Sequence, residues 1–207
     1  MTADPPPRVL VQMDPATDDG SRMEPRRAAE VAFLGVVPGG TVVDLMCGVG
    51  NYADLLPEAR YLGVDHDPAM LLVARGRSGG AERGLRAHVL GDVRSAPVRS
   101  ASADHVLLAY EGLNAFRSPA ARRAVLSEVA RCLRPGGTAL VDLWRPFENP
   151  VPDADRSHVG PHELARLTAG AGLEVTDRAR LHLGVADSDK AETASSGQFL
   201  LRRRSSA

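Results

Sequence analysis

The chain has 207 residues, 43% hydrophobic and 25% charged, with 25 Lys plus Arg against 26 Asp plus Glu and a formal net charge of −1. That length and mix suit one globular domain with its own core, and the balanced charge supplies no field to gather a nucleic acid or an anionic membrane. Two cysteines, Cys47 and Cys132, are too few for a disulfide framework and read as small apolar side chains of a reduced, cytoplasmic protein; no apolar run reaches signal-peptide or membrane-span length.

Residues 1–22, rich in Pro, Asp and Thr, lack periodicity and read as a flexible arm ahead of a domain over 23–207. A helix is expected from near Pro25, with Ala28, Ala29, Val31, Ala32 and Phe33 on its apolar side and Pro38-Gly39-Gly40 as its stop. Thr41–Met46 reads as a strand, followed by a Gly-rich turn and a helix from Asn51. Arg60–Val64 is a second strand, and Pro68 opens a helix running to about Arg77. Arg86–Leu90 and Asp104–Tyr110 are the third and fourth strands. Ser118-Pro119 caps a helix that carries Val125, Val129, Cys132 and Leu133 at helical spacing. Pro135-Gly136-Gly137 ends it ahead of a strand over Thr138–Trp144. A Pro- and Asp-rich loop leads to a helix over His162–Ala171, then to terminal strands at Leu173–Leu183 and Gln198–Arg202. Alternating strands and helices imply right-handed crossovers and a mainly parallel sheet. Only a polar stretch separates the last two strands, so they should pair antiparallel.

In such a sheet, ligands gather beyond the carboxyl ends of the strands, where strand order reverses. The first strand ends in Asp44-Leu45-Met46-Cys47-Gly48-Val49-Gly50-Asn51-Tyr52-Ala53. Gly48 and Gly50 permit a tight turn, and a helix behind it would aim free N–H groups at an anion. Asp65 ends the second strand, where a carboxylate can accept from both hydroxyls of a ribose. Gly48-x-Gly50-x-x-Ala53 also fits the dinucleotide pattern, which keeps an NAD(P)-dependent oxidoreductase open. Asp44 points elsewhere: at a strand tip it would repel a pyrophosphate and favour an ammonium or sulfonium. Gly91-Asp92-Val93 closes the third strand with a carboxylate suited to the amino group of an adenine ring. The three carboxylates are expected to converge on one cleft.

The segments VVDLMCGVGNYA, YLGVDHDPAML, LGDV and LRPGG, in that order and spacing, resemble the class I S-adenosylmethionine-dependent methyltransferases from about Pro25 to Arg204. The resemblance implies an α/β fold with a doubly wound, seven-stranded, mostly parallel sheet, its last strand antiparallel, and helices on both faces. It implies S-adenosylmethionine as cofactor, lying across the first four strands. Gly48 and Gly50, with Cys47 and Tyr52 beside them in the same motif, would back its methionine part, and Asp44 would lie near its amino group. Asp65 would bind the ribose, His66 would lie near the adenine edge, and Asp92 and the Val93 amide would meet the ring. Tyr110 would border the sulfonium and the acceptor. One departure is Met46, where the family often has Gly or Ala.

Methyl transfer from a sulfonium is an in-line displacement in which positioning supplies most of the rate, with a base needed only for a protonated acceptor. Glu111 and His158 rank first as bases, with Tyr110, Asn114, Trp144 and Arg145 as further acceptor-side groups. Glu111 reads equally as a solvated strand-end residue, and His158 as an ordinary loop histidine. His158 and His162 have metal-like spacing, but Pro161 breaks the helix that would align them, so no metal is expected. His105 reads as a packed core histidine; Asp142 reads as structural or site-facing. The expected reaction is transfer to a nitrogen or oxygen of a small molecule by a monomer or homodimer without a nucleic-acid partner. A cyclase-type tailoring enzyme that uses the cofactor without consuming it stays open as an alternative, as does a catalytically silent binding module.

Overall fold

The computed structural model describes residues 8–13, 23–77, 86–110, 112–144, 159–183 and 194–205. Among them, eight strands form one sheet: β1 (Arg8–Met13), β2 (Thr41–Leu45), β3 (Arg60–Asp65), β4 (Arg86–Leu90), β5 (Ala103–Leu108), β6 (Leu133–Trp144), β7 (Leu173–Leu183) and β8 (Ala194–Arg203). Helices α1 (Met23–Leu34), α2 (Pro68–Arg77), α3 (Pro119–Cys132) and α4 (Pro161–Gly170) cover it. The spatial order is β1-β7-β8-β6-β5-β2-β3-β4. β8 runs antiparallel to β6 and β7, and every other neighbouring pair is parallel. β2 to β8 thus make the expected seven-stranded sheet with its last strand antiparallel.

The eighth strand is a correction to the expected arm. Arg8–Met13 pairs in parallel with β7, Arg8 opposite Ala179 and Met13 opposite Leu183. The run Arg8-Val9-Leu10-Val11-Gln12-Met13 is too short for periodicity to stand out, yet an open sheet edge offers it a ladder of backbone partners.

Strand alternation divides the core in two. Val43 and Leu45 of β2 face a cluster with Val125, Leu126 and Val129 of α3 and Leu164 of α4. Val42 faces the other way, joining Leu34 of α1, Tyr52, Tyr61, Leu107 and Leu140. Each fully buried aliphatic of this kind is worth ~1.5–3 kcal/mol. Helices therefore lie on both faces, and chain order reverses between β2 and β5, above whose tips a ligand site belongs.

Several local expectations hold to the residue. α2 begins at Pro68 and ends at Arg77, and the Ser118 hydroxyl caps α3 by accepting from the amides of Ala120 and Ala121. His105 is a packed core histidine: its Nε2 accepts from the Val37 amide at 3.3 Å, so Nδ1 carries the proton to the Thr138 hydroxyl at 2.8 Å. α1 differs. It stops at Leu34, where Gly35 at φ +67° takes the left-handed closing position ahead of the Pro38-Gly39-Gly40 run. Its buried line is Arg26, Glu30 and Leu34, while Ala28 and Ala32 face solvent.

Candidate functional site

β2 leaves the sheet at Leu45 and reverses through Met46–Gly50, with φ of +63° at Met46, +53° at Gly48 and +73° at Gly50. A Cβ at Gly50 would lie 2.9 Å from His88 Nε2, so both backbone and packing require glycine there. Met46 takes the left-handed conformation without that freedom, at a cost of ~1–2 kcal/mol. The helix expected from Asn51 is a single 3₁₀ turn over Ala53–Leu55. Pro57 follows and β3 already starts at Arg60, leaving no room for more.

Asp65 holds the turn instead. Its Oδ2 accepts from the Gly48 amide at 2.8 Å and its Oδ1 from the Asp67 amide at 2.9 Å. A carboxylate has about four lone-pair sites, so two remain. Asp65 lines a cleft of about 310 Å³ at the tips of β3, β4 and β5, a size that begins the usual range for small-ligand sites, roughly 300–1,000 Å³. Met46, Val64, Val93 and Phe116 give it apolar walls, and Asp65, His66, Asp92 and Arg94 its polar groups. Asp92 accepts at Oδ1 from the Arg94 amide at 2.8 Å and is clamped by the Arg94 guanidinium. Those bonds hold its carboxyl down at about 2. His66 is largely exposed, with Nδ1 3.4 Å from Asp65 Oδ1.

Asp44 departs from the expected convergence. It shares the α1-facing side of β2 with Val42, is 2% exposed, and accepts from the Tyr61 hydroxyl at 2.6 Å. Burial pushes its carboxyl up to about 7, against the Tyr61 hydrogen bond, and Asp65 adds repulsion. Asp65 and Asp92 line one cleft together; Asp44 lies beneath the turn. Cys47 is buried, and burial raises its thiol far above neutrality, which makes it inert filling.

A second polar assembly lies on the α1 side. Arg26 donates from Nε to Glu30 Oε1 at 3.0 Å and from Nη2 to Asp142 Oδ2. Gln198 Nε2 donates to Asp142 Oδ1 at 3.1 Å and to Glu30 Oε1 at 3.3 Å, and the Tyr52 hydroxyl donates to Glu30 Oε2. Glu30, Asp142 and Gln198 are wholly buried. Burial pulls the Arg26 guanidinium down, but Asp142 and Glu30 overcome that and leave it above its ordinary value. Asp142 is therefore structural. Tyr110 follows β5 in the left-handed region, at φ +50°, and is 38% exposed. Its ring lies 5.8 Å from that of Tyr52 and 5.3 Å from the Arg26 guanidinium carbon, and its hydroxyl meets Arg27 Nη1 at 3.3 Å. Burial raises the Tyr110 hydroxyl above its usual range while the bond it accepts from Arg27 opposes that shift.

Of the residues expected at the site, Asp65, His66, Asp92 and Val93 share the cleft. Gly48 and Gly50 shape the turn above it, Tyr52 is buried on Glu30, and Tyr110 stands at the β5 tip. Glu111, His158 and Arg145 lie outside the described residues, as does the side chain of Trp144. Arg26, Glu30 and Gln198 were not anticipated. The available signal was the Arg26–Glu30 spacing of four on a helix, which reads as an exposed ion pair unless its burial is known.

The family described as "Methyltransferase domain" matches residues 42–137, from β2 through the Pro135–Gly137 run. Over 115 residues the chain is 35% identical to the tRNA (carboxymethyluridine(34)-5-O)-methyltransferase of Macaca fascicularis, covering 55% of this chain and 16% of that protein. Over 135 residues it is 35% identical to the trans-aconitate 2-methyltransferase of Azoarcus sp., covering 63% of this chain and 49% of that protein. Among solved structures, a SAM-dependent methyltransferase of Methanosarcina mazei superposes with a TM-score of 0.70 at 14% identity, over 85% of this chain and 98% of that one.

Proposed function

We propose that this chain is a class I S-adenosylmethionine-dependent methyltransferase that methylates a nitrogen or oxygen of a small molecule, a reading supported by the methyltransferase-domain match over residues 42–137. The observation that carries the site assignment is the Asp65 carboxylate, fixed by two backbone amides and lining one cleft with Asp92 and Val93. That donor set fits the cofactor: Asp65 can accept from a ribose diol, Asp92 from an adenine amino group, and the walls from Val64 to Phe116 can flank a flat ring. Bound there, S-adenosylmethionine supplies a methyl group on a sulfonium that departs as a neutral thioether.

The chain's own contribution is placement. The Met46–Gly50 turn and Asp65 fix the cofactor side, and Tyr110 at the β5 tip borders the acceptor. Its protonated hydroxyl suits it to orient an acceptor atom. Glu111 and His158 are the bases we assign to acceptors that arrive protonated. A small acceptor is supported by the net charge of −1, which offers no counter-charge for a polyanion. It is also supported by similarity to a trans-aconitate methyltransferase. Similarity to a tRNA methyltransferase supplies the contrasting arm of the test. Calorimetry should show S-adenosylmethionine binding without NAD(P) binding. Turnover with isotopically labelled cofactor should then add one methyl mass to a small acid, amine or phenol and none to bulk tRNA. Labelled tRNA would overturn the acceptor class, and product formed without a mass gain would point to the cyclase chemistry.

A further inference from the structure

Arg26 and Arg27 are neighbours in the first turns of α1, yet their circumstances are opposite. Arg26 is spent on Glu30 and Asp142. Arg27 is half-buried, meets no carboxylate among the described residues, and gives Nη1 to the Tyr110 hydroxyl at 3.3 Å. Its Nε is buried with no hydrogen-bond partner. A guanidinium donor left this way forfeits about 1–3 kcal/mol, and such a group in a folded protein needs an explanation.

That buried Nε is closed to an incoming ligand, so the donors Arg27 can offer are those of its Nη atoms, on the Tyr110 side. Tyr110 follows the tip of β5, and the 112–115 turn after it leads to Phe116 on the cleft wall. On the methyltransferase reading Tyr110 borders the acceptor, and Arg27, which reaches the Tyr110 hydroxyl, belongs to that side. A guanidinium edge and a phenolic hydroxyl side by side present convergent donors to a planar pair of oxygens, the geometry a carboxylate satisfies. The charge behind them limits the guest. Arg26 and Arg27 act on Tyr110 through space against Glu30; Arg26 is already paired with Glu30 and Asp142, so the single charge of Arg27 is what a guest meets, and it matches a singly charged anion.

We propose that Arg27 and the Tyr110 hydroxyl hold a carboxylate of the methyl acceptor, which makes the substrate a carboxylic acid that receives the methyl at another of its atoms. This rests on the methyltransferase reading of the site. Arg27 is a specificity residue here and takes no part in bond making.

The test uses the full chain loaded with S-adenosylhomocysteine and titrated by calorimetry with two probe pairs: 3-hydroxybenzoate against 3-hydroxybenzamide, and 4-hydroxybenzoate against 4-hydroxybenzamide. Each acid should bind at least ~10-fold more tightly than its neutral partner, as a charge-assisted contact implies. Arg27→Ala should erase that preference, Arg27→Lys should restore part of it, and affinity for S-adenosylhomocysteine should stay within about twofold in both variants. Acid and neutral partner binding equally, or a preference that survives Arg27→Ala, overturns the proposal. The titrations are repeated on unloaded protein. A protein that binds acids through Arg27 but no S-adenosylhomocysteine refutes the methyltransferase reading while keeping the anion site; the converse refutes the anion site alone.

Discussion

Replacing Asp44 by asparagine separates a structural carboxylate from a ligand contact. Asp44 is fully buried on the Tyr61 hydroxyl, and its carboxyl titrates near 7 in the fold against 3.8 for an ordinary aspartate. The folded state therefore holds its proton more tightly than the unfolded chain. The contribution to stability is fully present below pH ~4 and is lost as pH rises towards 7. That interval corresponds to about 4 kcal/mol, an upper value for a site that can relax. The Asp44→Asn amide cannot ionise but can still accept from Tyr61, so it removes the pH-dependent loss. Urea denaturation followed by circular dichroism from pH 4.5 to 8.5 should give near-equal stabilities at the acid end. The variant should gain up to ~4 kcal/mol on wild type at the alkaline end. A difference that does not change with pH, or a variant weaker than wild type at pH 8, refutes the burial argument. Because Asp44 lies beneath the turn, cofactor affinity should fall less in this variant than in Asp65→Ala.

Asp65→Ala itself removes the acceptor for the ribose diol and should weaken cofactor binding by ~1.5–3 kcal/mol, read by calorimetry; wild-type affinity would move the ribose site elsewhere. Arg26→Ala leaves Glu30 and Asp142 buried without their counter-charge and should cost roughly 3–5 kcal/mol, visible as a lowered urea midpoint. Gly50→Ala forces a left-handed alanine against His88 and should cost roughly 1–3 kcal/mol, with a native-like circular dichroism spectrum distinguishing local strain from misfolding.

How much of this was legible in the sequence depended on what fixes each part. β4, α2 and β7 were readable to their end residues because Pro68, Gly172 and short apolar runs punctuate them. The glycine elbow and Asp65 were readable because backbone geometry demands particular residues at particular spacings, independent of what packs around them. The helix after the elbow was not, since the pattern that usually precedes one is overridden here by Pro57 and an early β3. The orientation of Asp44 was hidden for a different reason. Strand alternation settles which face it takes only once Tyr61, on the neighbouring β3 and opposite Val42, is known to sit under it. α1 misled most: its alanines mimic an apolar stripe, and the true buried line runs through an arginine and a glutamate.

That buried line bears on how the two sides of the site are built. The proposed cofactor side is anchored by backbone amides on Asp65, which no side-chain substitution nearby easily shifts. The proposed acceptor side hangs on the seating of α1, because Arg26 lies against the Tyr110 ring and Arg27 against its hydroxyl. An apolar helix face could slide or roll by a fraction of a turn at little cost. A face that must set Arg26 against Asp142 and Glu30 against Gln198 and Tyr52 has a single register, since any slip strands a charge in the core. The ionic seat therefore contributes orientation more than stability. It transmits that orientation to Tyr110, held in a backbone conformation that an L-residue adopts only under constraint.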